Sequence, residues 1–351
     1  MPVRVAAIGV SHWHSLYDSA YLRHLSGMPD MQLVGLHDSS AAIAARRAAV
    51  LGDPPVFTDY RRMLTETRPD FVMALGRHST MAETALYLLD QGHPFLMEKP
   101  MGVNAEEVRR VSDRAAAKNA FVAVPLIQRY QPFTARARSL LADGRFGPMS
   151  HIYFRLNRPT SARYVAWDAT WMLDPQDAGG GCLRNLGPHG LDLFLFLTGE
   201  EVEVTGAQLS SRALEQPVED YASVLVRSAR GVLGTIEVGN TFPRAGTDGE
   251  WKIAWRDAML ILRDGALRLT TAGGEEVTAG EPEEPLALTA LRDAGAAGRH
   301  LRPASTTACA RCASSTGRMR SPIGPTLHLP ERCACWRRAV AGGRLVTARR
   351  D

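Results

Sequence analysis

The chain has 351 residues, 45% of them hydrophobic, a length and balance that suit two globular domains with full cores rather than a disordered or fibrous chain. Its net charge of +4 is unevenly spread: residues 301–351 carry ten Arg against Glu331 and Asp351, which leaves residues 1–300 at −4 and gives no argument for nucleic acid as a partner. No apolar run reaches membrane-spanning length and the first residues enter a strand pattern without a secretory signature, so the expectation is a cytoplasmic protein with no membrane partner.

Residues 1–125 alternate between strand-like and helix-like patterns, which predicts a parallel sheet covered on both faces. Candidate strands are Val3–Ile8, Gln32–Leu36, a short one near Val56, Phe71–Leu75, Phe95–Met97 and Phe121–Val124. Helical patterns lie between them, as at Met81–Asp90 and Asn104–Lys118. The opening run ends at Gly9 and the second at Asp38, the order of a dinucleotide-binding βαβ unit with a ribose-binding acid. The phosphate-loop fingerprint is eroded, because Gly9, Ser11 and His14 stand where three glycines are expected. Ligands of such sheets bind at the carboxyl ends of the strands, where Gly9, Asp38, Gly76 and Lys99 all fall. His12 and His14 form an H-x-H pair, but no third ligand is evident nearby, so no metal is expected there.

Gln131–Gly144 reads as a connecting helix. From Met149 the texture becomes strand-like with alternation, which predicts a mostly antiparallel sheet with one packed and one open face. Within this half, Ala178–Gly199 sets the glycines 179–181 before an apolar helical pattern. Asn185, His189, Asp192 and Phe196 share one face of that helix, and a polar stripe on a buried helix is either internally hydrogen-bonded or directed into a site. The glycines permit a ligand to approach the helix start closely. Past Ala287 the periodicity is lost, and four of the five cysteines lie there, at 309, 312, 333 and 335. Paired thiolates suggest zinc, but C-x-C spacing is unusual for it. The tail reads instead as the product of a reading-frame change, which an intact frame on resequencing the gene's 3′ end would overturn.

The EKP at Glu98–Pro100 and the GGG-x-L-x-N-x-G-x-H-x-x-D run from Gly179 to Asp192 together resemble the Gfo/Idh/MocA family of sugar and cyclitol oxidoreductases. QRYQPF at 128–133, LLADGRFGPM at 140–149 and Trp171 keep the same order. The resemblance implies an α/β Rossmann dinucleotide-binding domain at 1–125 and an α+β substrate and oligomerisation domain at 126–287. The second domain would hold a large, mostly antiparallel open sheet, followed by the atypical Arg/Cys-rich tail at 288–351. It implies Lys99 and His189 at the reacting hydroxyl, with His189 as general base and Lys99 as electrostatic partner. Asn185 stands where the family commonly has Asp; it can orient His189 but stabilises imidazolium less.

The cofactor is expected to be NAD, with NADP left open, held by Gly9, Ser11, His12, Trp13, Asp38, Gly76, His78, Glu98 and Lys99. Asp38 disfavours a 2′-phosphate, while Arg46 and Arg47 read as solvated helix residues. Arg129, Asn157, Trp171 and Asp192 are candidate substrate contacts for a sugar, cyclitol or related polyol. The chain is expected to form a homo-oligomer through the second sheet. Two other readings stay open: a catalytically weak NAD(P)-binding sensor or scaffold, and an NAD-assisted glycosidase.

Overall fold

The computed structural model describes residues 2–300 and the short strand Leu327–His328. In chain order the first half contains β1 (Val3–Ile8), α1 (Tyr21–Ser26), β2 (Met31–His37), α2 (Ala41–Ala48), β3 (Val56–Phe57), α3 (Tyr60–Thr67), β4 (Phe71–Ala74), α4 (His78–Gln91), β5 (Phe95–Met97), α5 (Ala105–Ala117) and β6 (Val122–Val124). α6 (Pro132–Asp143) leads into β7 (Met149–Pro159), α7 (Ala162–Ala166), α8 (Pro175–Ala178) and α9 (Cys182–Thr198). A run of strands follows: β8 (Val202–Ser210), β9 (Tyr221–Ser228), β10 (Leu233–Phe242), β11 (Asp248–Trp255), β12 (Ala258–Arg263), β13 (Ala266–Thr271) and β14 (Gly274–Ala279), then α10 (Leu286–His300).

β1 to β6 pair in parallel in the order 6-5-4-1-2-3, and Leu327–His328 adds an antiparallel rung to β6. This is the doubly wound order whose switch point lies between β1 and β4. The strands are buried on both faces because helices cover both, which is why they read as continuous apolar runs.

The second sheet has eight strands in the order 14-13-12-11-7-10-9-8, antiparallel throughout except for the β7–β10 pair. α9 covers one face, where Leu186, Leu193, Phe194 and Leu197 join Phe154, Ile236 and Trp251 in one core. A Cβ on Gly190 would stand 2.6 Å from the Phe154 ring and 2.7 Å from Ile236, so a glycine is what lets this helix lie flat on the sheet. The other face carries Tyr153, Arg155, Leu225, Glu237 and Lys252 and has no helix upon it among the described residues.

The sequence reading ends regular structure near Ala287, and α10 corrects it. This helix returns to the first domain and packs Ala287, Leu291 and Ala294 among Val3, Leu22 and Leu25. Its small, widely spaced apolar residues make a weak pattern, and only the groove beside α1 makes them sufficient. Cys309, Cys312, Cys333 and Cys335 lie outside the described residues, as does the reading-frame question. No helix among the described residues is long and apolar enough to cross a membrane.

Candidate active site

At the switch point, Gly9 takes φ +71°, and a Cβ there would stand 2.5 Å from the Cα of Gly76 (φ +102°), which follows β4. The loops after the two strands touch backbone to backbone, and this brings the predicted pair together. Asp38 ties the loop from the next strand: its Oδ2 accepts from the Ser11 N–H (2.7 Å) and its Oδ1 from Ser40 N–H (3.0 Å). Arg47, read from sequence as solvated, is buried; it donates to the Tyr17 hydroxyl and the Trp167 carbonyl, both at 3.1 Å. Arg46 pairs with Asp168 at 2.9 Å. A helix position alone could not reveal that aromatic rings from residues 17 and 167 would cover Arg47.

After Gly9 the chain makes a short turn, Trp13–Ser15, and every residue from Val10 to Leu16 is buried. Residues 161–178 of the second half fold across it. Trp13 packs against Tyr164 and Trp171, with ring centroids 5.3 and 5.9 Å apart, and Trp171 meets His12 and His78. His78 Nδ1 donates to the Ala178 carbonyl at 2.8 Å. Trp171, a candidate substrate contact from sequence, therefore stands over the loop after β1.

Glu98 and Lys99 leave the end of β5 fully enclosed. The Lys99 ammonium donates to the carbonyl and to Oδ1 of Asn185, at 2.7 and 2.6 Å, and Asn185 Nδ2 donates to the Tyr164 hydroxyl at 2.9 Å. Asn185 thus holds Lys99 and makes no bond to His189, contrary to the expectation that it orients the imidazole. Burial pushes the Lys99 amine down to about 8, against the raising effect of the Glu98 charge. Burial first, and then the Lys99 charge, drive His189 well below its ordinary range, so its ring is neutral near pH 7. Its Nδ1 is buried without a partner among the described residues.

Glu98 meets the loop from beneath. His14 Nδ1 lies 2.9 Å from Glu98 Oε1, and His14 Nε2 lies 3.5 Å from Asp18. Burial opposes the charge on His14, but Glu98 and Asp18 outweigh it and raise its pKa; burial likewise opposes ionisation of Glu98, and His14 outweighs it. His12, His14 and Glu98 offer ligand atoms within 4.8 Å of one another, so the third group near the H-x-H pair exists after all. It comes from 84 residues away in the chain. Two of those ring nitrogens are already engaged, His14 Nδ1 by Glu98 and His12 Nδ1 by the His14 N–H.

Lys99 and His189 line one cavity of about 50 Å³ with Trp13, His14, Asp18, Ser19, Gln128, Arg158, Arg163 and Asn185. The sequence reading missed Asp18, Arg158 and Arg163. Of its substrate candidates, Arg129 and Asp192 are buried and paired with each other through two bonds of 2.8 and 2.5 Å, with the guanidinium 4.5 Å above Phe196. Asn157 is engaged with Thr241 within the sheet. Alternate residues of a strand face opposite sides, so its neighbour Arg158 is the one that reaches the cavity. The glycine triplet serves the protein's own packing: a Cβ would stand 2.9 Å from Val103 at Gly179 and 2.1 Å from the Glu219 carbonyl at Gly181. Glu219 itself caps α9, accepting from the N–H groups of Gly181 and Leu183.

Residues 3–126 match the oxidoreductase family with an NAD-binding Rossmann fold, and residues 134–260 match the Gfo/Idh/MocA C-terminal domain. The chain belongs to the Gfo/Idh/MocA family. Among characterised proteins it is 27% identical over 238 residues to trans-1,2-dihydrobenzene-1,2-diol dehydrogenase of Sus scrofa, covering 64% of this chain and 68% of that one. It is also 27% identical over 199 residues to D-glucoside 3-dehydrogenase of Escherichia coli K12, covering 56% and 54%. The fold is that of an inositol dehydrogenase homologue from Azotobacter vinelandii, crystallised with NAD+, with a TM-score of 0.71 at 20% identity over 86% of this chain and 90% of that one.

Unmatched donors at the loop show how this Gfo/Idh/MocA member suits the cofactor. His12 accepts at Nδ1, so its neutral ring carries the proton on Nε2, and that N–H is buried without a partner among the described residues. Trp171 Nε1 is buried without a partner as well, on a ring 5.9 Å from that of His12. Buried donors left open beside the turn after β1 fit the polar oxygens of a dinucleotide, and Asp38 follows β2, the strand next to β1.

Proposed function

We propose that the chain is an NAD-dependent oxidoreductase that acts on a secondary hydroxyl of a sugar, cyclitol or related polyol, with Lys99 and His189 at the reacting oxygen. The observation that carries this reading is the shared cavity: an ammonium held by Asn185 and a neutral imidazole line one enclosed space at the carboxyl end of β5. Gly9, Ser11, His12, Trp13, Asp38, Gly76 and His78 would hold the dinucleotide against it. When bound, the nicotinamide cofactor supplies the hydride acceptor. Lys99 keeps a donor directed at the substrate oxygen and stabilises its developing negative charge, and the His189 ring takes the hydroxyl proton. Such a base contributes about 10²- to 10⁴-fold in rate. The relatives' names, a diol and a glucoside dehydrogenase, support a hydroxyl substrate.

Titration with NADH and separately NADPH, followed by energy transfer from tryptophan, tests the cofactor assignment. Saturable binding with NADH favoured is expected, as is loss of polyol turnover in Lys99→Met and His189→Ala with NADH binding kept. Binding of neither nucleotide would sink the reading. The helix-free face of the second sheet, where Leu225 and Leu233 are 47% and 52% exposed, supports a homo-oligomer. Light scattering should give more than one chain per particle, and a monomer would remove that part.

A further inference from the structure

The cavity has an unbalanced charge that the proposed hydroxyl chemistry does not use. Its cations are Lys99, Arg158, Arg163 and the His14 ring, whose pKa is raised; its one carboxylate is Asp18, with Glu98 just beneath. Asp18 is committed twice, to Arg158 Nη2 at 2.6 Å and to His14 at 3.5 Å. Glu98 is committed to His14 and to the Lys99 backbone N–H. Arg158 Nε is buried without a partner among the described residues. Arg163 donates to the Thr160 carbonyl, the Tyr164 hydroxyl and Asn240 Oδ1, at 3.2, 3.3 and 2.8 Å, all of them neutral. Burial, and after it the charge of Arg158, hold its pKa below the ordinary guanidinium value. Arg158, which shares Asp18 with His14 and keeps an open Nε donor, and Arg163, bonded only to neutral groups among the described residues, leave the cavity wall able to take a further anion.

We infer that the substrate carries a carboxylate, seated between Arg158 and Arg163, so that the enzyme acts on a sugar acid such as an aldonate or uronate rather than on a neutral polyol. The inference rests on the oxidoreductase reading for its reaction but not for its anion site. The planar fork of arginine matches a carboxylate with two parallel bonds. A phosphate would satisfy the same charge, and the sugar phosphate among the probes below separates the two. Arg158 and Arg163 lie on β7 and α7 and line the same cavity as Lys99, which follows β5, so an acid held there would leave its hydroxyls toward the ammonium.

The test uses the full chain saturated with NADH and titrated with D-glucuronate, D-gluconate, D-glucose, sorbitol and D-glucose 6-phosphate, read by tryptophan fluorescence, together with NAD+ reduction by each. The acids should bind and turn over roughly 10- to 100-fold better than their neutral partners, the range of hydrogen bonds to a charged group. Arg163→Met should bring the acid-to-neutral ratio near one, Arg163→Lys should restore part of it, and Arg158→Met should lower it independently, with thermal melting used to confirm that each variant folds. Equal use of acid and neutral partners, or an equal loss on both in Arg163→Met, would overturn the inference. Preference for the sugar phosphate would replace carboxylate by phosphate and overturn it as stated. If NADH does not bind, the oxidoreductase reading fails by itself, and the same titrations of the free protein still decide the anion site: acids that quench tryptophan no better than neutral sugars overturn it.

Discussion

Lys99 Nζ lies 2.6 Å from Asn185 Oδ1 and 2.7 Å from the carbonyl of the same residue, so one asparagine holds the buried ammonium from two sides. Because the asparagine is neutral, it fixes the position of the charge without offsetting the cost of burying it. That is why the amine comes down to about 8.

Asn185→Asp should therefore raise the Lys99 pKa. With Lys99 acting as ammonium, turnover in the unaltered chain falls as pH rises through about 8, and the variant should move that limb upward by a unit or more. Stability should follow the same sign. Between about 8 and the ordinary lysine value the folded chain binds fewer protons than the unfolded one, so stability rises with pH across that window, and the variant should flatten the rise. Rate profiles and urea midpoints against pH check both, and superimposable alkaline limbs would exclude the role given to Lys99.

His14→Asn leaves Glu98 enclosed without its cation and should cost about 3–5 kcal/mol in urea unfolding. His14 is raised above its ordinary value, so its stabilising effect is full below pH 6.5 and fades as pH passes through the raised value. The loss should accordingly be larger at pH 6 than at pH 9. A loss independent of pH would mean that the ring acts only by packing.

Gly190→Ala tests how α9 is seated. Its new methyl meets Phe154 and Ile236 and should cost about 1–3 kcal/mol, with NADH affinity less affected than in Gly9→Ala. Gly9→Ala places its methyl against Gly76 at a positive φ and should lose stability and NADH binding together. Calorimetry paired with the NADH titration reads the two. Normal NADH affinity in Gly9→Ala would refute the assignment of the loop.

Asp38→Asn keeps an acceptor where the ribose is proposed to lie and removes a charge that would oppose a 2′-phosphate. The ratio of NADPH to NADH affinity should rise roughly tenfold or more, the scale of a hydrogen bond to a charged group. Arg46 and Arg47 are engaged by Asp168, Tyr17 and Trp167, so neither of them already compensates. An unchanged ratio would mean that Asp38 serves only to tie Ser11.

Much of this architecture is legible along the chain, because local patterns determine it. Apolar runs separated by helix-length intervals give the parallel sheet, and Gly9, Asp38 and Lys99 sit at strand ends where such sheets gather ligands. What escaped depends on the partner. Nothing local says whether Asn157 or Arg158 faces the cavity until the pairing of β7 fixes the parity. Arg129 and Asp192 look like free polar groups in the sequence and prove to be each other's partner across 63 positions. The glycines at 179 and 181 announce a close approach, but only the fold reveals that Val103 and Glu219 approach them. Asp18, held at φ +56° in a loop, has no periodicity to mark it.

The strap at residues 161–178 has a kinetic consequence. It seats Tyr164 and Trp171 on Trp13, while Asp177 pairs with Arg77 and Ser79, and the space it leaves would hold one or two waters. With the dinucleotide on its proposed seat along the loop after β1, the aromatic stack must part before it enters. Its observed association rate should climb with nucleotide concentration and then level off at the rate of parting, and the measured affinity should include the cost of holding the strap open. Trimming the stack, as in Trp13→Leu, would then quicken capture of the cofactor and at the same time loosen what keeps the substrate cavity dry.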